Sequence, residues 1–388
     1  MRTFYIALGR RLSWVRRLDR ALMLVGVVGL VASILVNAPD ARSAASQDWS
    51  PFVLVTGLLL IGMVANEDGL FSAAGNQLAR LSSSGVVLFI GATLMIGTVT
   101  AVLNLDTSVA FLTPVLIYTA RKHGRGEAPL LYGCLLLSNA GSLFLPGSNL
   151  TNLIVLGHER MSGARFFSDM WPSALAALIV TAASIAVVER REFNAGDHEP
   201  EVKQHSTYGL GLFAVVAATL LVLILATPAL AVLAVGLIVV GLRVARHRID
   251  PSHVLHGIGV PLLVGLFGLA VTLGTLGRIW SGPSALLNHL GIWATAGVAG
   301  LIAVIVNNLP AASLLAARTP VHPFALLIGL NLGPNLFVTG SLAWMLWLRA
   351  ARAAGAQPSI SHAFRIAVFA VPLAMAAALA VLSARGLS

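Results

Sequence analysis

Residues 138–153 read SNAGSLFLPGSNLTNL and residues 329–343 read GLNLGPNLFVTGSLA. Each lies inside a long apolar run, and each places glycine, proline, serine and asparagine where an unbroken membrane helix would carry leucine or valine. In hydrocarbon, a broken helix leaves N–H and C=O groups without partners, at several kcal/mol each. Such a break survives only where it lines a cavity inside protein. Two shorter stretches interrupt apolar runs in the same way: Asn104-Leu105-Asp106-Thr107 and Asn307-Asn308-Leu309-Pro310.

The four interruptions come in pairs. Residues 139–150 align with 331–342, residues 57–69 with 265–277, and the polar tip at Asn104 with that at Asn307. An odd number of crossings separates the equivalent segments, so the two halves have opposite orientation. Inverted repeats with paired interruptions point to a secondary transporter whose site lies near the bilayer midplane.

Composition agrees. The chain has 388 residues, of which 57% are hydrophobic and only 10% charged, against about 25% charged in soluble domains. The apolar runs 21–36, 51–65, 85–103, 210–226 and 257–276 approach the roughly 20 residues that cross a bilayer as a helix. They lack the alternation of barrel strands. The net charge of +10 belongs to loop arginines that set membrane orientation, so no nucleic-acid partner is expected. The single cysteine, Cys134, excludes a disulfide or a thiol metal cage. The arginine-rich N-terminus precedes an apolar run with no small-residue cleavage site behind it, and reads as an uncleaved first helix.

The predicted fold is an all-α membrane protein with about nine crossings and two re-entrant hairpins. It forms one transporter domain, 1–388, with a first helix and loop at 21–50 and a first repeat at 51–188. Linker and connecting helices follow at 189–256, and a second repeat at 257–383. The hairpins span 85–120 and 291–318. With the N-terminus cytoplasmic, all but six of the 25 Lys and Arg residues fall inside the cell, the exceptions being Arg42, Arg160, Arg165, Arg278, Arg318 and Arg385. The localisation is the inner (plasma) membrane, and the lipid bilayer is the first partner.

Oxygen-rich side chains at the breaks are the candidate substrate and ion ligands: Asn104, Asp106, Thr107, Asn139, Ser148, Asn149, Thr151, Asn152, Asn307, Asn308, Asn331, Asn335, Thr339 and Ser341. Asp106 is the one acid expected deep in the membrane, where a carboxylate costs about 2.5–3.5 kcal/mol on insertion scales. Its retention marks it as the proton-coupling residue. Glu67 and Asp68 are expected in water. The histidines lie at predicted segment ends, and His158-Glu159 lacks the second histidine of a zinc-protease motif. No metal site and no cofactor are expected. Ser148 and Ser341 each follow a glycine, yet no deep span offers a dyad histidine, so the chain does not read as an enzyme.

The strings LNLDTSVAFLTP (103–114), SNAGSLFLPGSNLTNL (138–153), VNNLP (306–310) and GLNLGPNLFVTGSLA (329–343) resemble the arsenite efflux permeases of the ion-transporter superfamily. That superfamily also holds divalent anion–sodium symporters and sodium/proton antiporters. The resemblance covers roughly residues 50 to 383. It implies that two hairpin tips and two unwound helices form the site, in proteins that are often homodimers and sometimes served by an ATPase partner. Leu105 and Trp344 depart from the permease pattern, and the symporters' serine-asparagine-threonine tips are absent. The expected function is proton-coupled efflux of arsenite, antimonite or a similar small oxyacid. The alternative is a sodium/proton antiporter or an organic-anion carrier of the citrate or dicarboxylate type. Either is driven by a proton or sodium gradient.

Overall fold

The computed structural model describes residues 13–82, 84–158, 161–194, 209–225, 227–246, 254 and 259–387. The predicted linker beyond Asn194, and the basic residues Arg2, Arg10, Arg11, Arg160 and Arg248, lie outside them. Among the described residues the structure is helical throughout, without a β-strand. Five helical stretches are long and apolar enough to cross a membrane: Arg20–Glu67, Gly85–Val102, Gly163–Val188, Val260–Ile279 and Ile360–Ala384.

The first helix, α1 (Ser13–Glu67), is broken once, at Asn37, whose φ of −154° and ψ of 87° leave the helical region. Asn37 caps the arm that follows, its Oδ1 accepting from the Asp40 N–H at 3.1 Å. Pro39 falls in the first turn, where a missing N–H costs nothing. Residues 39–50, expected as a loop, are therefore helical. Their polarity misled because Gln47 and Asp48 are turned into protein rather than water, with Ala41 and Ala44 buried beside them.

The first arm of α1 crosses α10 (Val260–Ile279) with the backbones touching: a Cβ on Gly26 would lie 2.1 Å from the Gly265 carbonyl oxygen. Small residues permit this approach between membrane helices. Leu24, Val28 and Leu35 of the same arm are well exposed, as befits a lipid-facing surface. The second arm packs on α8 (Leu210–Ile224) and α9 (Ala229–Ala245). Asp68 was expected in water, yet it is buried in an ion pair with Arg243 of α9. It also accepts the Gly211 N–H of α8 at 2.8 Å. One carboxylate thus ties three helices where α1 ends.

Between these helices and the pair α7 (Gly163–Val188) and α16 (Ile360–Ala384) lie the interrupted segments. In the first half, α3 (Gly85–Val102) and α4 (Leu105–Lys122) meet at Leu103 and Asn104. Next, α5 (Ala128–Gly141) loosens into a 3-10 turn at Pro146–Ser148 and resumes as α6 (Leu150–Val155). In the second half, α12 (Ile292–Val306) and α13 (Asn308–Leu315) meet at Asn307. There α14 (Pro323–Leu332) loosens into a 3-10 turn at Gly333–Leu336 before α15 (Leu342–Ala353). Helices α5 and α14 are buried on nearly every face, which explains why apolar residues surround them and why Asn139 and Asn331 must find partners inside the protein.

Two short helices went unpredicted. The amphipathic α2 (Leu70–Leu81) buries Phe71, Gly75 and Ala79, a stripe too sparse to stand out from the apolar runs. The seven-residue α11 (Gly282–Asn288) follows α10. Where α7 ends, Glu189 is buried and paired with His362 of α16, and His362 stacks on Tyr132 with ring centroids 4.8 Å apart. That histidine holds three helices together instead of marking a free segment end.

Candidate transport site

Four helices begin at one small cavity of about 20 Å³. It is lined by Leu105 and Asp106 at the start of α4, Asn149 and Leu150 at the start of α6, Asn307, Asn308 and Leu309 at the start of α13, and Ser341 and Leu342 at the start of α15, with Leu266 of α10 beside them. The volume admits about one water molecule. A helix N-terminus presents unpaired N–H groups and a positive dipole end, so the backbone alone aims four such ends at this point.

Each start is formed by its own sequence. Asn104 accepts the Thr107 N–H at 2.6 Å, Asn149 accepts the Thr151 N–H at 3.2 Å, and Asn307 accepts the Leu309 N–H at 3.3 Å. These are ordinary asparagine N-caps. The fourth cap, Ser341, makes no side-chain cap bond, and its buried hydroxyl has no partner. The Asn104 Nδ2 and the Thr107 Oγ1 are likewise buried and unpaired. Gly62 of α1 lets Thr107 approach, since a Cβ there would lie 2.4 Å from the Thr107 methyl. Asp106 lines the cavity, and no ion pair reaches it among the described residues.

Asn307 has φ 80° and ψ 147°, the one non-glycine residue with positive φ among the described residues. This backbone region is nearly glycine-only and costs about 1–3 kcal/mol. Three bonds hold it: the cap just described, the Asn308 N–H to the Gly340 oxygen at 2.8 Å, and the Asn307 Nδ2 to the Thr339 oxygen at 3.2 Å.

Behind the cavity an amide network joins the two unwound segments. The Asn331 Nδ2 donates to Asn152 Oδ1 at 2.8 Å and to the Leu327 oxygen at 2.8 Å. Its Oδ1 accepts from Ser142 Oγ at 2.5 Å and from Asn149 Nδ2 at 2.7 Å. Across the junction, the Asn139 Nδ2 donates to Asn335 Oδ1 at 2.7 Å and to the Leu135 oxygen at 3.3 Å. Both asparagines thus bond the carbonyl one turn back and an asparagine in the opposite half. The Asn152 Nδ2 donates to the Ser142 and Leu145 oxygens at 2.7 and 3.2 Å, carbonyls that the break in α5 exposes.

The expected ligands therefore divide. Asp106, Asn149, Asn307, Asn308 and Ser341 line the cavity, with Asn104 and Thr107 at the first tip. Asn139, Asn152, Asn331 and Asn335 hold the unwound segments together. Ser148 donates to the Ser142 and Leu145 carbonyls and is spent on shape, while the Thr151 hydroxyl is buried and unpaired. Thr339 lies off the cavity: it is exposed, and its hydroxyl donates to the Val304 oxygen at 2.6 Å. It braces the second tip from outside, because the turn at 337–340 carries it past the cavity. Missed in the sequence were Ser142, legible as a polar residue inside the break, and Trp344. The latter's indole donates to the Pro334 oxygen at 3.0 Å, taking up a carbonyl that the unwound segment frees.

The lining holds one carboxylate, amides and a hydroxyl, and no basic side chain. Such a set can donate to and accept from a small polar solute and can exchange one proton.

Comparison with known proteins gives a consistent picture. The sequence profile of the citrate transporter family, CitMHS, matches residues 12–380. An arsenical pump membrane protein of Escherichia coli is 27% identical over 361 residues, covering 84% of this chain and 83% of that protein. The inner membrane protein YbiR of Escherichia coli (strain K12) is 27% identical over 342 residues, covering 86% and 88%. Among solved structures, the YdaH transporter of Alcanivorax borkumensis has the same fold, with a TM-score of 0.55 over 93% of this chain and 97% of that one, at 14% identity.

Proposed function

The chain belongs to the citrate transporter family, a family of membrane transporters, and we propose that it exports a small uncharged oxyacid, arsenite or antimonite first, in exchange for protons. The observation that carries this reading is the cavity lining, in which the one ionisable side chain is Asp106 and the remaining polar groups are amides and a hydroxyl. Arsenite is mostly the uncharged trihydroxide near neutral pH. It asks for donors and acceptors rather than a counter-charge.

The sign of coupling follows from Asp106. As a carboxylate it accepts a strong, charge-assisted hydrogen bond from a substrate hydroxyl, and once protonated it accepts only weakly. Proton and substrate therefore compete, which is antiport: substrate leaves the cell as a proton enters. The relatives named as arsenical pump membrane proteins support the substrate class.

A second reading, an organic-anion carrier, draws on the four helix starts, whose dipoles favour negative charge. It reverses the sign, because an anion binds best when Asp106 is protonated, and that is symport. A sodium/proton antiporter on the same fold would move neither solute.

The cavity is too small for any of these substrates as it stands, so the tips must separate to load it. Re-entrant hairpins at 85–120 and 291–318, inverted repeats at 51–188 and 257–383, a cytoplasmic N-terminus in an inner membrane, and alternating access complete the proposal. The parallel bonding of Asn139 and Asn331 supports the repeat relation. An ion gradient suffices as the energy source without a cofactor or an ATPase partner, and a homodimer is the expected assembly.

The test is arsenite accumulation in cells stripped of their own efflux system. The wild type lowers accumulation and Asp106→Asn does not. If both reach the membrane and neither lowers it, the metalloid reading fails, and citrate uptake with its pH dependence is measured next.

A further inference from the structure

Besides Asp68 and Glu189, which are held in ion pairs, a further buried carboxylate lies outside this cavity. Asp48, on the second arm of α1, is 1% exposed. Its hydrogen-bond partner among the described residues is the Ser313 hydroxyl of α13 at 3.3 Å. That hydroxyl also lies 3.4 Å from the Leu309 oxygen, one helical turn back along α13, and Leu309 lines the cavity. The hydroxyl that meets Asp48 therefore sits one helical turn from a residue of the cavity lining.

The charged neighbours are few. Arg278 of α10 acts electrostatically on Asp48, but its guanidinium is committed elsewhere, to Gln47 Oε1 and, at 2.8 Å, to the Gly274 oxygen. Asp40, about two turns back on the same arm of α1, acts on Arg278 in turn. Arg318, just past α13, donates to the Arg278 carbonyl at 3.1 Å. The sequences of α6 and α13 contain no ionisable residue. Gln47, beside Asp48, donates to the Ile154 oxygen in α6 and to the Ala316 oxygen behind α13, both at 3.0 Å. The far ends of two of the four converging helices are thus fastened to α1 at the position next to the acid.

We propose that Asp48 is a second proton-binding carboxylate of the transport cycle, bound to the position of α13 through Ser313. The inference rests on the transporter reading, in which the helix starts separate to load the cavity and α13, which begins at one of them, shifts against α1 and releases the Gln47 bond to the Ala316 oxygen. When α13 withdraws, Ser313 leaves with it, and the acid loses its one hydroxyl partner. The step is a proton transfer alone: a carboxylate oxygen takes H⁺ from water on one face and releases it on the other, and no other bond changes. The cycle then carries two protons per substrate, one at each acid.

The test uses infrared difference spectroscopy of the full chain in liposomes, with bulk pH stepped and the C=O stretch of protonated carboxyl groups recorded. The wild type is compared with Asp48→Asn, Asp106→Asn and Ser313→Ala. Asp48→Asn is expected to lose one titrating carboxyl band while keeping the band that Asp106→Asn removes. Ser313→Ala, which keeps the acid, is expected to shift the Asp48 band and its titration midpoint. An Asp48→Asn spectrum identical to wild type overturns the proposal, as does a Ser313→Ala variant with an unmoved band if Asp48→Asn fails to fold. The readout needs no substrate, so a failure of the arsenite assay leaves this result standing on its own.

Discussion

Replacing Asn331 by leucine separates two positions that sequence alignment treats as equivalent. Leucine has the same branching but bulkier ends, so it adds some overpacking at either fully buried position, typically about 1–3 kcal/mol, and the difference between the two variants reads the hydrogen bonds. Two buried groups are stranded: Asn152 Oδ1, which Asn331 Nδ2 had satisfied, and Asn149 Nδ2, which had donated to Asn331 Oδ1. Ser142 Oγ keeps the Asn139 carbonyl at 2.8 Å and is not stranded. At about 1–3 kcal/mol per stranded group, the cost is about 2–6 kcal/mol. Measured interhelical bonds in a bilayer average about 0.6 kcal/mol, which places the result toward the low end. Asn139→Leu behaves differently. It strands Asn335 Oδ1 but removes the Asn139 Oδ1, which is already buried without a partner, so gain and loss nearly cancel. Apparent unfolding temperatures of purified protein in one detergent at one scan rate measure both. Asn331→Leu is expected to unfold several degrees below Asn139→Leu, at ~2 °C per kcal/mol or somewhat less for a chain this long. Equal losses at the two positions would refute the asymmetry of the network.

Other outcomes are as definite. Ser341→Ala removes a buried hydroxyl that bonds nothing, so the unfolding temperature holds or rises, while the KM for arsenite is expected to rise about tenfold, the equivalent of about 1.4 kcal/mol. Asn307→Gly relieves a positive φ worth about 1–3 kcal/mol at the loss of the cap and of the Nδ2 bond to the Thr339 oxygen, and its thermal stability should stay close to wild type; Asn307→Ala keeps the strain, loses both bonds, and should unfold earlier. Arg243→Ala leaves Asp68 charged, buried and unpaired, a loss of roughly 3–5 kcal/mol that should appear as a lower unfolding temperature, with partial recovery in the Arg243→Ala, Asp68→Asn double variant.

Periodicity and polarity carried the reading of this sequence where the two agree. Proline, glycine and asparagine clustered inside apolar runs mark Asn104, Pro146–Ser148, Asn307 and Gly333–Leu336 as breaks, whereas lone prolines such as Pro114, Pro172 and Pro372 stay within helices. The same rule failed at 39–50, where Gln47 and Asp48 look like loop residues but satisfy themselves on α6, α13 and α10 across long sequence distances. It failed again at Asp68, whose partners Arg243 and Gly211 are far along the chain. The position of Thr339 off the cavity was illegible for a related reason. Its residue type fits a ligand, yet which way a turn carries one hydroxyl depends on backbone angles that composition does not reveal.

The framework around the cavity is built from carboxamides, hydroxyls and backbone. Asn139, Ser142, Asn149, Asn152, Asn331 and Asn335 bond one another and the carbonyls of broken helices, and none of these side chains gains or loses a proton in the physiological range. Acidifying either compartment therefore leaves the shape of the binding frame unaltered. A charged framework would deform as the medium changed, mixing recognition with energy coupling. In the proposed mechanism the two are chemically separate: amides hold the geometry at every pH, and the proton is left to the carboxylates.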